Sequence, residues 1–489
     1  MGIKHGNSRY QPTIPMSLND QISEDNPVRI IDVLVDGMNL SEMGFIITGG
    51  KQTGRPAYAA SDLLKLYIYG YEAGIRSSRM LERETGRNIE LMWLLKNLRP
   101  DHKTIAEFRR INVEALERAF KYFIGVIDGF GLLGKELIAV DGTKIKASNN
   151  KKQNFSKRKL AERIKAIEGK INKYLDAIGS DEDDENLNAR DTQKILEELE
   201  KRKEKYENTL RRLQESGDNE VSMVDPDARM MGTNLNGIDI CHNVQSVVDA
   251  KHHFIVGLNV TNNPTDHGQL SVMANIAKET LGVEEITVTA DKGYYNGPDL
   301  AACKENKIIT IVSRQEASNR APDPRFNADK FSYDADKDTF TCPAGHVLSL
   351  KNKSKERRKY KNQKACKGCE FRELCTKGKV REITRSCYAE IYEETDKRTR
   401  ENMHIYRLRQ QLVEHPFGTI KRTMNGAYFL LRTQRKVRGE VALLFFGYNL
   451  KRLINIMGFD ATMERLRVLS LRDFFALRMF QHQKASFAA

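Results

Sequence analysis

Residues 136–142, ELIAVDG, form a short apolar run that closes on an acid followed by glycine. Such a run, bounded by turn residues, fits a buried strand. The pattern returns at residues 285–291, EITVTAD, which also ends on an aspartate. Between the two lie VQSVVDA (244–250) and FIVGLNV (254–260), adjacent stretches that read as paired strands. KIITIVS (307–313) reads as a fifth strand. Helices are predicted from Gly268 to Leu281 and from Gly297 to Asn306, and a long helical region runs from Asp396 through Glu414 and Lys421.

Without its insertions, the order is three neighbouring antiparallel strands, then helix, strand, helix, strand and a late helix. That order predicts an α/β fold with a ribonuclease-H-like mixed sheet. In an open α/β sheet, sites form beyond the carboxyl ends of the parallel strands. The first and fourth strands are neighbours in this arrangement, so Asp141 and Asp291 would meet at one edge. The late helix can carry Glu414 across to them. Three carboxylates suit Mg²⁺, which is hard and takes oxygen ligands. Two such ions about 4 Å apart can activate an attacking oxygen and stabilise a leaving one. Each acid also has a plainer reading: Asp141-Gly142 and Asp291-Lys292-Gly293 as turns, Glu414 as one acid on a charged helix. Their joint placement favours the site.

Glu414 and Lys421 are seven residues apart, two helical turns, and share a face with Arg407. Pro416 removes a helix hydrogen bond and disfavours helix at His415, which predicts a kink or restart beside Glu414.

The flanking sequence suggests several units. Residues 1–50 read as an arm ending in a Gly49-Gly50 break, and its first residues, Met1 to Tyr10, lack the apolar core of a signal peptide. Residues 51–130 carry closely spaced helical patterns, including one capped by Asp101, and fit either a helix-turn-helix type of DNA-binding domain or a plain bundle. The catalytic fold would occupy 131–315 and 396–460. Residues 155–216 would insert a helical hairpin broken by the acidic stretch Ser180 to Glu185, and its duty is either structural or DNA contact. Residues 316–395 are an irregular, basic, cysteine-bearing insertion, and 461–489 a helical tail.

Net charge is +14 in a chain of 489 residues with no 18-residue apolar run, so a membrane span is not expected and a polyanion is the natural partner. A cytoplasmic, nucleoid-associated location is expected. The excess is concentrated. KNKSKERRKYKNQK (351–364) has eight basic groups against one acid, and 421–438 holds six basic groups, among them Lys421 and Arg422, with Tyr428 and Phe429 and no acid. Basic groups neutralise phosphates, and rings can stack on bases. Seven cysteines without a signal peptide argue against a disulfide framework. Cys342, Cys366, Cys369 and Cys375 are spaced C-x23-C-x2-C-x5-C, which suits one tetrahedral structural Zn²⁺ with His346 in reserve. Four unrelated reduced thiols are the alternative.

AVDGTKIKA (139–147), VTADKGYYNG (288–297) and YRLRQQLVEHPFGTIKR (406–422) together resemble the bacterial insertion-sequence transposases of the Asp-Asp-Glu class whose last motif is Tyr, Arg, Glu, Lys. Gly54 to Arg110, with PDHKTIAEFRR, is similar to their N-terminal domain. The resemblance implies Mg²⁺-dependent (or Mn²⁺-dependent) cutting of double-stranded DNA at element ends and transfer of the 3′-hydroxyl to target DNA, by a homodimer on paired ends. It implies Asp141, Asp291 and Glu414 as ligands to two metal ions, Lys421 as the signature lysine, and Tyr294 as an aromatic that touches the flanking strand. Lys292 and Arg422 are further DNA-binding candidates. The family places arginine where this chain has Gln410. Arg409 and Tyr406 keep their mutual spacing one residue early, which leaves Arg407 as a rival phosphate contact. A domesticated, inactive DNA-binding protein and a ribonuclease-H-like resolvase are the competing readings.

Overall fold

The computed structural model describes residues 17–46, 57–180, 189–217, 219–233, 237–315 and 321–472. Met1 to Tyr10, Gly49-Gly50, most of the acidic stretch after Ser180 and the end of the tail lie outside the described residues.

Six helices lead: α1 (Val28–Asp36), α2 (Ala60–Glu72), α3 (Ser78–Glu84), α4 (Ile89–Leu94), α5 (His102–Ile111) and α6 (Val113–Gly129). Asp101 caps α5 by accepting from the backbone N–H groups of Lys103 and Thr104, at 2.9 and 3.1 Å. β1 (Leu137–Lys146) follows. The inserted hairpin is α7 (Lys157–Ser180) against α8 (Ala189–Glu215), tied at its root by β2 (Asn154–Ser156) and β3 (Glu220–Ser222). Next come β4 (Arg229–Thr233), β5 (Gly237–Asp249), β6 (Ile255–Thr261), α9 (Leu270–Leu281), β7 (Ile286–Ala290), α10 (Gly297–Glu305) and β8 (Ile308–Val312).

The strands assemble as β6–β5–β1–β7–β8, with β4 pairing the first residues of β5. β1 is antiparallel to β5 and parallel to β7, and β7 is parallel to β8. β5 is buried from Asp239 to Asp249 because it is central and covered on both faces. The expected neighbour relation of the first and fourth strands of the catalytic unit is thus observed.

Residues 321–388 depart from the irregular stretch expected of them. They form a five-stranded antiparallel sheet of β9 (Ser332–Asp334), β10 (Thr339–Thr341), β11 (Val347–Lys353), β12 (Arg357–Lys361) and β13 (Glu382–Ser386), with short helices α11 (Gln363–Lys367) and α12 (Arg372–Cys375). The pattern is faint because four of the five strands bury only one side chain: Phe340, Leu348, Tyr360 and Ile383, joined in a small core by Phe331.

The C-terminal helices are α13 (Ala389–Glu401), α14 (Met403–Arg422), α15 (Gln434–Met457) and α16 (Phe459–Arg472). Two expectations are corrected. The helix predicted to run from Asp396 to Lys421 is split at Asn402, and α14 passes through Pro416 without a restart. Pro416 forfeits one backbone bond, but its ring is buried on the helix face that meets the sheet. α15 is buried from Val441 to Leu450 and packs against α2, α6 and β6. One continuous apolar core therefore joins the leading helices to the large sheet, as in the stacked Phe123–Phe446 pair with ring centres 4.5 Å apart. Arg76 and Glu440, both fully buried, form an ion pair inside this core. Glu440 also accepts from the N–H groups of Leu430 and Leu431.

Candidate active site

β1 presents alternate residues to opposite faces. Ile138 and Val140 enter the main core, whereas Ala139 packs under Leu412 and Val413 of α14. Asp141, two residues on, therefore lies on the α14 face. Thr143 continues that row, and its hydroxyl accepts from the Lys421 ammonium. The parallel register pairs Val140 with Ala290, so the next residues, Asp141 and Asp291, stand side by side where that pairing stops; β7 ends there, but β1, expected to end at Asp141, runs on along β5 to Lys146.

That placement is electrostatically costly. The Asp141 carboxyl is pushed up to about 7, first by burial. The like charges of Asp291 and Asp266 push in the same direction, while the N–H of Gly142 and the guanidinium of Arg409 oppose them. Asp291 turns its carboxylate onto the N–H of Gly293 at 2.6 Å, capping the turn Lys292–Tyr294. Burial lowers the Lys421 ammonium, and the charge of Asp141 partly restores it. Arg409 has a buried Nε without a hydrogen-bond partner among the described residues, and its guanidinium lies 5.8 Å from the centre of the Tyr406 ring. Of the two rival arginines, Arg409 is the one felt by Asp141, and Arg407 is exposed.

Glu414 is on α14 but exposed, and its Oε1 accepts from the Gln410 side chain at 2.9 Å. The structure thus brings together Asp141, Asp291, Arg409 and Lys421 and leaves Glu414 at the rim. Among the described residues, no three His, Cys, Asp or Glu side chains are gathered closely enough to hold a metal ion. The donor set nevertheless fits a divalent cation: two adjacent carboxylates, one of them raised toward neutral pH by burial and by the charge of the other.

Tyr294 corrects another expectation. It is fully buried, and its hydroxyl donates to the Gln245 side chain, so it does not face a flanking DNA strand. Lys292 and Arg422 are exposed. In the basic stretch 421–438, Arg435 pairs with Glu114 at 2.6 Å and Arg438 with Glu117 at 2.8 Å, so part of that charge is spent on α6.

Sequence reading missed a polar network beside Asp141. Asp266 accepts from Gln245 at 2.7 Å, Asn243 at 2.8 Å and Lys144 at 3.1 Å. The network occupies the space that a side chain at Gly142 would need: a Cβ there would meet Gln245 Nε2 at 2.3 Å and Asp266 Oδ1 at 2.5 Å. A glutamine inside the apolar run VQSVVD was a legible signal; Asp266, in a turn, gave none.

Cys342, Cys366, Cys369 and Cys375 line one cavity with His346. The Cys375 thiol is raised by burial, and the other three thiols add to the shift. The backbone N–H of His346 points to Cys342 Sγ at 3.3 Å, in a turn closed by Gly345 with φ +82°.

Residues 16–110 match the family model described as Transposase domain (DUF772), and residues 341–454 match that described as Transposase DDE domain. Both models describe parts of transposases, the second of the DDE kind. A solved structure similar to the chain is a piggyBac transposase synaptic complex with hairpin DNA, at 7% identity, over 91% of this chain and 79% of that one, with a TM-score of 0.31. At that score the likeness carries no weight here. No curated protein matches the chain. No helix among the described residues is long and apolar enough to cross a membrane.

Proposed function

We propose that the chain is an insertion-sequence transposase of the Tyr, Arg, Glu, Lys class, with a ribonuclease-H-like catalytic domain that cuts double-stranded DNA at element ends and joins the freed 3′-hydroxyl to target DNA. The observation that carries this reading is the adjacency of Asp141 and Asp291 where the parallel pairing of β1 and β7 stops, beneath the helix that bears Glu414 and Lys421. The strand order β6–β5–β1–β7–β8 supports the ribonuclease-H-like assignment.

Asp141, Asp291 and Glu414 would hold Mg²⁺, or Mn²⁺ in its place, two ions per site. When bound, the ions supply activation of the attacking oxygen and charge stabilisation at the leaving one. The chain's own residues do the rest. Lys421, anchored on Thr143, offers a cation next to Asp141 for a phosphate of the bound end. Arg409, whose charge is felt by Asp141, would offer the second. Glu414, whose Oε1 accepts from Gln410, would have to turn toward the aspartates to join them at the ions. Arg407, Tyr406, Arg422 and Lys292 would contact the DNA path around the rim, and Tyr294 acts as a wall of the site. The four cysteines would hold one structural Zn²⁺ in the insertion. A homodimer would hold paired ends.

Glu414→Gln tests the reading. With Mg²⁺ and a duplex carrying the element end, the variant should bind the end as the parent does and leave it uncut. Full cutting by the variant would remove Glu414 from the site. A parent that binds ends but never cuts would favour an inactive DNA-binding protein.

A further inference from the structure

The β11–β12 hairpin carries charge that the site does not use. Lys353 of β11 pairs with Arg358 of β12, which leaves a four-residue loop, Ser354 to Arg357. Ser354 pins that loop: its N–H reaches the Arg357 carbonyl at 2.9 Å, and its Oγ accepts from the Arg357 N–H at 3.1 Å. Lys351, Lys353, Lys355 and Arg357 are all exposed on this pinned tip. None of the four has an acid within ion-pair range among the described residues, whereas Arg358 and Lys359, nearer the sheet, are matched by Asp338 and Glu382. With Glu356 the one acid of the loop, four cations against it leave the tip at a net +3, as expected where a polyanion supplies the counter-charge.

The face behind the tip has matching chemistry. Leu348, Tyr360 and Ile383 point into the small core, so the residues between them point out. On that outer face Ser386 lies opposite Arg357, Ser349 opposite Lys361 and Thr384 opposite Lys359, the last held by Glu382, an acid of the same face. Hydroxyls beside cations suit phosphate oxygens. The one ring of the hairpin, Tyr360, is fully buried, so the face has no platform for stacking unpaired bases.

We propose that this hairpin is a basic finger that grips the phosphate backbone of duplex DNA. The proposal rests on the reading that the chain acts on DNA, and adds where the duplex runs outside the carboxylate site. The finger is tied to that site. β13 leads into α13, where the Tyr392 hydroxyl accepts from the Gly297 N–H at 2.8 Å and the Tyr392 ring stacks on Tyr295 with centres 5.0 Å apart. Both interactions are with the segment that follows Asp291. DNA held by the finger therefore approaches the site from the Asp291 side.

The test is the affinity of the full-length protein for a random-sequence duplex, measured as KCl is raised from about 50 to 200 mM. The triple variant Lys353→Ala, Lys355→Ala, Arg357→Ala is compared with the parent and with a control that loses equal charge from α8, Lys201→Ala, Arg202→Ala, Lys205→Ala. The slope of log affinity against log salt should fall by about 2.7 in the finger variant, about 0.9 for each phosphate that is no longer neutralised. The control should keep the parental slope. An unchanged slope in the finger variant overturns the proposal, as does an equal fall in the control. A parent without salt-dependent DNA binding would overturn the DNA reading itself, a separate result. Replacing the same three positions with the alternate basic residue should retain the parental slope.

Discussion

Asp141→Asn should change how stability depends on pH, and the structure sets the size of the change. The carboxyl ionises near its ordinary 3.8 in the unfolded chain and at about 7 in the folded one. Between those values the folded state holds the extra proton. Stability contributed by this group is therefore full below about pH 4, falls as pH rises toward 7, and is flat above. From about pH 5 to about pH 7 the fall is two units at about 1.36 kcal/mol each, or about 2.7 kcal/mol. The residue keeps a partly exposed edge, which lowers this to about 1–2 kcal/mol. Asparagine cannot ionise but can still accept from the Gly142 N–H. Urea unfolding with chelator present, at about pH 5 and about pH 8, should find the variant gaining about 1–2 kcal/mol on the parent at the higher pH. Mg²⁺ at about 100 times its dissociation constant should then stabilise the parent by about 2.7 kcal/mol and the variant far less. A parent-to-variant difference that is the same at both pH values would refute the like-charged, buried setting argued for Asp141.

Other outcomes follow from the same geometry. Gly142→Ala should displace Gln245 and Asp266, cost about 1–3 kcal/mol on overpacking grounds, and slow end cutting at least tenfold in a nicking assay; wild-type activity and stability would count against the network. Arg76→Met should cost about 3–5 kcal/mol in chemical unfolding, because it strands the buried Glu440 carboxylate, and Arg76→Met with Glu440→Leu should recover much of the loss. Metal analysis should find one zinc per chain, lost in a Cys366→Ser, Cys369→Ser variant. Zinc-free parent protein would return the four thiols to independent roles.

Much of the large sheet was legible because its strands are buried on both faces and so read as apolar runs, each ending where a polar residue is needed. ELIAVDG and EITVTAD gave both strand and acid in one pattern, although β1 runs beyond Asp141 to Lys146 because β5 keeps pairing it. The small sheet was not legible. Its strands bury one side chain at most, so charge hides the period of two. The unbroken passage through Pro416 was missed because the residue is buried on the helix, so packing and not local propensity decided it. Tyr294 looked like a DNA contact by its position in the motif, but the turn after Asp291 points it inward to Gln245, a partner 49 residues away. A still longer separation hid the Arg76–Glu440 pair, which joins the leading helices to α15 across 364 residues. At the site, side-chain spacing on α14 favoured Arg407, whereas helix packing on β1 selects Arg409.

The central claim is that Asp141, Asp291 and Glu414 together drive a metal-dependent cut and join. It is tested most directly by incubating the purified protein with an element-end duplex, a target plasmid and Mg²⁺, and sequencing any covalent product. The account predicts the 3′-end of the element joined to plasmid DNA, with Mg²⁺ required and no product from Asp141→Asn or Asp291→Asn. Joined product made in chelator, or made as well by either variant, would contradict it.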